Sequence, residues 1–220
     1  MEAMILYFVL FFPASLTSPL YEGGAISFSI LRELSRILTY TIPSFALLWY
    51  LIGSHVGVLG KKGLSALKKK PCREDFLTLA VGFPGLACIG LCISFFTWLF
   101  SAYPELKVPP GIEAPANTAG WIVMVFSCLC TGYLEESYFR YYLLTKLKKQ
   151  IPQEVIRVIF STALFSLCHF YEGPWGVLNA ILAGILLSAL FIRCKSLHGI
   201  AWAHAAYNIF VYIIGIFGNH

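Results

Sequence analysis

Seven long apolar stretches, joined by short polar segments, dominate this chain. They lie at about 4–20, 38–59, 76–103, 120–147, 156–171, 175–192 and 197–217. A helix that crosses a membrane needs about 20 mostly apolar residues, because the hydrocarbon layer is about 30 Å thick and offers backbone amides no partner. None of the stretches alternates with the two-residue period of a barrel strand. The expected fold is therefore all-α, a polytopic membrane helix bundle of about seven transmembrane helices. Composition agrees, with 58% apolar and 12% charged residues, where soluble domains carry about 25% charged. Mean hydropathy is +0.75. A soluble domain of 220 residues has too little interior for so much apolar surface, and a disordered chain is polar and charge-rich. The first stretch is the weakest, being short and holding Pro13. Signal peptides begin with positive charge. Here the first charge is Glu2, so the stretch reads as a span.

The formal charge is +5, and its distribution follows topology. Lys61, Lys62, Lys68, Lys69, Lys70, Arg73, Lys146, Lys148, Lys149, Arg193 and Lys195 fall in alternate loops. The opposite side holds only Arg32, Arg36 and Lys107. Cytoplasmic loops carry the Lys/Arg excess. The N-terminus is thus expected in the cytoplasm and the C-terminus outside, with the bilayer as partner and no nucleic acid needed. In a prokaryote the location is the plasma (inner) membrane. The seven Cys lie mostly inside apolar runs and form no C-x-x-C pair, so they read as small buried hydrophobes. Gly53 and Gly57, and the stripe Ala180, Gly184, Ser188, permit close helix packing, expected within one chain; the oligomeric state stays open. Residues 27–36 are helical in period and mixed in charge, and lie at the interface or extend the second span.

Polar residues inside spans are costly and mark function by default. The fourth span carries Glu135, Glu136 and Arg140, the fifth ends with Phe165 and His169, and the seventh carries His204 and Asn208. Adjacent helical residues point about 100° apart, so the two glutamates face different neighbours. Glu136 and Arg140 are i,i+4 with the acid first, the favoured order for an ion pair. That assigns Glu136 to structure and leaves Glu135 free, where burial without a cation makes it a stronger base. His204 and Asn208 share one face of the seventh span, and Phe165 and His169 share one of the fifth. At a rise of about 1.5 Å per residue, Glu135, His204, Asn208 and His169 lie about 16, 13, 19 and 22 Å from the nearest charged inner residue. One slab of the bilayer holds all four. A carboxylate and a histidine there can activate water, while a second histidine and an asparagine donate to an oxyanion. The chemistry is hydrolysis of an amide bond. Ser137 and Cys168 lie nearby, with no clear base for either.

Three rival readings use the same residues. Two histidines and a glutamate form a known zinc set, but H-E-x-x-H is absent and no carboxylate stands beside either histidine in sequence to orient it. No metal or other cofactor is therefore expected, with zinc as the alternative. A non-catalytic immunity or interaction protein would keep the fold without the chemistry. A small transporter would use the polar pocket as an ion path, but inverted repeats of the kind common in transporters are absent.

The motifs E-E-x-x-x-R (Glu135, Glu136, Arg140), F-x-x-x-H (Phe165, His169) and H-x-x-x-N (His204, Asn208) stand in order on successive spans. In these the chain resembles the CPBP (Abi) intramembrane proteases, which include the type II CAAX prenyl endopeptidases. The likeness covers 120–217, expected as the catalytic helix bundle; 1–119 are membrane helices without a recognised motif. The resemblance implies a glutamate-dependent endopeptidase, formerly classed as a metalloprotease, with its site in a cavity open to cytosol and lipid. It implies that Glu135 activates water, His169 assists, His204 and Asn208 form the oxyanion hole, and Glu136 with Arg140 supports the site. The implied substrate is a membrane-associated or lipidated protein or peptide tail, of CAAX, sorting or bacteriocin type.

Overall fold

Each apolar stretch contributes a helix to the computed structural model, which describes residues 2–12, 28–54, 65–100 and 114–218, the last four by their backbone only. The helices are α1 (Glu2–Leu10), α2 (Ile30–Ser54), α3 (Arg73–Leu99), α4 (Thr118–Lys149), α5 (Glu154–Leu167), α6 (Gly173–Cys194) and α7 (Leu197–Gly218). No strand occurs among the described residues. The all-α membrane bundle stands. Its expected count of about seven crossings does not carry over whole: among the described residues five helices, α2, α3, α4, α6 and α7, are long and apolar enough to cross a membrane. α5 has 14 residues, about 21 Å at the helical rise, short of the hydrocarbon thickness. α1 has nine residues, and the rest of the first expected span lies outside the described residues, as does Gly57.

Local sequence sets the ends. Ser29 Oγ caps α2 by accepting from Arg32 N, so 30–36 extend the second span rather than lying apart from it. Asn117 Oδ1 accepts from Gly120 N at 2.9 Å and caps α4. Asp75 closes a capping box on Cys72 at the start of α3. Lys195, left-handed at φ 53°, stops α6 and turns the chain into α7.

Helix ends meet in two sets. Glu2 Oε2 bonds Lys146 Nζ at 3.1 Å, joining the start of α1 to the end of α4. Ser196 Oγ donates to Asp75, and His198 Nε2 lies 3.0 Å from Lys69 O, joining the starts of α3 and α7. At the opposite ends Phe100 stacks on Trp175, with ring centroids 6.2 Å apart. Apolar side chains point outward on α3, with Phe76, Leu91, Phe95 and Trp98 exposed, while Asp75, Glu136 and Arg140 are buried. That is the arrangement suited to lipid.

α7 packs between α3 and α4, and α6 between α3 and α5. Two small residues set the spacing. A Cβ on Gly132 would lie 2.8 Å from Ala201 O and 3.3 Å from Ala205 N, so only glycine lets α4 and α7 touch backbone to backbone. A Cβ on Gly184 would meet Thr162 Cγ2 at 3.0 Å and Phe165 Cδ1 at 3.4 Å. Gly184 of the Ala180, Gly184, Ser188 stripe thus packs α6 on α5 within the chain. Gly132→Val should force α4 from α7 and lower stability by about 1–3 kcal/mol. Gly85→Ala, which meets only the tip of Leu186, should cost less. Thermal unfolding of both variants in detergent checks the ordering.

Candidate active site

The motif residues converge across three helices. Glu136 and Arg140 are both fully buried, and Arg140 NH1 donates to Glu136 Oε1 at 2.9 Å, the pair expected from their spacing. The same oxygen accepts a second bond, from His204 Nδ1 at 2.8 Å. A carboxylate only accepts, so Nδ1 carries the proton, and Nε2 is the ring atom left to face the site. Nε2 stands 3.7 Å from Glu135 Oε2, beyond hydrogen-bond reach. That glutamate oxygen is buried without a hydrogen-bond partner. One imidazole therefore spans both glutamates, from opposite ring atoms.

Phe165 is the packing centre. Arg140 Cζ sits 4.3 Å from its ring centroid, within cation–π range. The rings of His169 and His204 lie 4.7 and 6.0 Å away. Phe165 thereby joins α5 to the charged pair on α4 and the histidine on α7.

His169 differs from its expected place. α5 ends at Leu167, and His169 stands past it, before a single 3-10 turn, Phe170–Glu172. Its Nδ1 still reaches back to Phe165 O at 2.9 Å. The carbonyl accepts, which fixes the proton on Nδ1 and leaves Nε2 as the basic nitrogen. Gly173, at φ 76°, then turns the chain into α6. Asn208 lies one turn beyond His204 and is half-buried; among the described residues no hydrogen bond joins it to the other six. The structure thus brings Glu135, Glu136, Arg140, Phe165, His169 and His204 into one contiguous group, with Asn208 beside it on α7.

Sequence reasoning also missed partners. No carboxylate neighbours a histidine in sequence, yet Glu136 orients His204 from another helix, the supporting contact the zinc alternative had lacked. Among the described residues, no three His, Cys, Asp or Glu side chains are disposed to hold an ion. Residues 137–143 form a π-helical segment, Ser137–Leu143, directly after the glutamates. Such wide turns cluster at functional sites, and nothing in the local spacing announces this one. Trp49 Nε1 donates to Ser137 Oγ at 3.3 Å, and Ser161 Oγ to Phe139 O at 2.7 Å. Gly132, unmarked by any motif, sets the α4–α7 distance on which the Glu136–His204 bond depends. His198, given no role from sequence, bonds Tyr133 OH at 2.8 Å and ties α7 to α4.

Arg140→Ala should leave Glu136 charged and half-paired in a low-dielectric interior, at a cost of roughly 3–5 kcal/mol. Adding Glu136→Gln should recover part of the loss. A double-mutant cycle on unfolding in detergent checks this.

Residues 116–210, which hold all three motifs, match the model of the family described as Type II CAAX prenyl endopeptidase Rce1-like. The match marks a multi-pass membrane protein with a protease's machinery. No curated protein and no solved structure matches the chain.

Proposed function

We propose, with that family match as premise, that the chain is an intramembrane endopeptidase acting on the tail of a membrane-associated or lipidated protein through water activated by Glu135. The carrying observation is the imidazole of His204 held between two glutamates. Glu136 is committed to Arg140 and to His204 Nδ1. Oε2 of both glutamates is buried without a hydrogen-bond partner, but among the described residues only Glu136 is engaged through its other oxygen.

The steps follow from these positions. Glu135 takes a proton from water as the water oxygen attacks the scissile carbonyl carbon. The carbonyl oxygen becomes an oxyanion. His204 Nε2, when it carries a proton, and the Asn208 amide donate hydrogen bonds to that oxyanion. His169 Nε2 accepts the remaining water proton, steadies the intermediate and gives that proton up to solvent once the products leave. The C–N bond then breaks, the proton held by Glu135 passes to the leaving amine, and a carboxylate and an amine are released. Glu136 and Arg140 position His204 and touch no reacting atom. The reaction needs no metal in this scheme, so cleavage should survive strong chelation, whereas the zinc version loses it.

This reading puts the N-terminus in the cytoplasm and the C-terminus outside; in a prokaryote the membrane is the plasma membrane. The joining of Glu2 to Lys146, and of Lys69 to His198, supports putting these basic helix ends on one side. A protein tail with its lipid in the bilayer then approaches from that side.

Comparing protein termini by mass spectrometry, in native membranes carrying wild type or Glu135→Ala at matched levels, tests the proposal. New termini that depend on Glu135 are expected, with cleavage in the variant down at least about 100-fold. Equal termini, from two folded and abundant proteins, would instead favour the non-catalytic immunity or interaction reading.

A further inference from the structure

One polar residue inside the spans belongs to no motif. Asn179 stands in α6, sixteen residues before Lys195, about 24 Å along the helix. That is close to the depth of His169 and Asn208. A polar side chain so deep in a span is costly and marks function by default. Its partner is Tyr207 of α7, whose OH donates to Asn179 Oδ1 at 2.9 Å. α6 and α7 both pack on α3, and the Tyr207 ring lies against it. Gly90 of α3 makes room for the ring. A Cβ there would lie 2.7 Å from Tyr207 OH and 2.9 Å from its Cε2. Three helices therefore meet at one hydrogen bond.

The place of this bond on α7 gives it a meaning. As far as Tyr207 the helix is tightly held. Ala201, Ala203 and Ala205 are buried against Gly132 and Gly82, and His204 is fixed by Glu136. Farther along, Val211, Ile213 and Ile214 are exposed. Among the described residues of α7, Tyr207 is the last buried one. Asn208 follows it directly and is half-buried, and its side chain makes no hydrogen bond among the described residues. A donor to an oxyanion works by being aimed before the charge develops. No side-chain bond aims Asn208, so its direction is that of the backbone it stands on. Tyr207 anchors that backbone at the adjacent residue.

We propose that Tyr207 and Asn179 are positioning residues: their bond, admitted by Gly90, fixes the rotation of α7 at Asn208 and so aims its amide at the oxyanion. This rests on the endopeptidase reading above. His204 and Asn208 are then set from two sides, the histidine by Glu136 of α4 and the asparagine, through its neighbour, by Asn179 of α6. It also accounts for a tyrosine hydroxyl and an amide kept together deep in a span.

The test uses the full-length protein in proteoliposomes and a fluorogenic farnesyl-cysteine peptide, with Glu135→Ala as the blank. Tyr207→Phe, which removes one hydroxyl, and Asn179→Leu should each lower kcat about 10-fold and leave KM within about 2-fold, as loss of aim at an oxyanion requires. In an Asn208→Ala background, followed in single turnovers with enzyme in excess, neither change should slow cleavage further, because the group they aim is gone. A merely structural role would lower both backgrounds by the same factor. A farnesylated peptide phosphinate, tetrahedral at the scissile position, gives a readout free of that slow background: Tyr207→Phe should weaken its binding by the same factor as kcat. Equal losses in both backgrounds, an unchanged kcat in Tyr207→Phe and Asn179→Leu, or unchanged phosphinate binding beside a reduced kcat would overturn the assignment while leaving the endopeptidase reading intact. Absence of Glu135-dependent cleavage by folded wild type would overturn the CAAX-type form of that reading and the assignment with it.

Discussion

A fully buried arginine organises this bundle. Taking a guanidinium out of water is expensive unless it is paired and hydrogen-bonded. Arg140 meets that demand in part, with Glu136 on its own helix and the ring face of Phe165 from α5, while its Nε and NH2 make no hydrogen bond among the described residues. Glu136 cannot be satisfied by one donor, and its second comes from His204 on α7. A single charge thus ties α4, α5 and α7 to each other at one level. The three motifs are not three sites but one electrostatic unit, and each helix contributes the group that the others need.

That unit depends on backbone geometry as much as on charge. The bare surface of Gly132 admits the Ala201 and Ala205 backbone and brings His204 within reach of Glu136. One turn on, the chain widens into the π-helical segment Ser137–Leu143, and side chains from elsewhere hold it. Trp49 of α2 bonds Ser137, Ser161 of α5 bonds the Phe139 carbonyl, and Tyr138 OH donates to Ala3 O of α1 at 2.6 Å. Phe11 packs on Tyr138 and Phe139, with ring centroids 5.0 and 4.8 Å apart. The N-terminal helices carry no motif, but they brace the irregular turn that follows the two glutamates.

What was legible in the sequence was local. Hydropathy located the helices, and the i,i+4 rule found the Glu136–Arg140 pair because both residues share one helix. Reckoning by helical rise put Glu135, His169 and His204 at compatible depths; Phe165 joins the two histidines, and His204 stands 3.7 Å from Glu135. The rest was tertiary. The Glu136–His204 bond links residues 68 positions apart, and no spacing rule reaches that far. The end of α5 was hidden because the apolar run continues through Cys168 and His169, while the backbone leaves the helix at Leu167. Gly132 looked like any glycine in an apolar helix until the facing backbone was in view. The short α5 likewise explains why a count of apolar stretches exceeds the count of helices long enough to cross.

Neighbours, not intrinsic chemistry, divide the labour between the two glutamates. Consecutive residues on one helix, they differ by about 100° of rotation. One is turned into Arg140 and His204 Nδ1, with both roles structural. The other meets the far nitrogen of the same ring across 3.7 Å, a gap too long for a hydrogen bond. The alternative nucleophiles are committed elsewhere. Ser137 is buried and accepts from Trp49, and Cys168 Sγ is directed at Leu164 O and Tyr7 OH. Neither faces a base as a nucleophile requires. The proposed route through a water-activating carboxylate needs neither of them. The imidazole that Glu136 orients is also the group best placed to act with Glu135, so the structural glutamate sets the geometry in which the other can work.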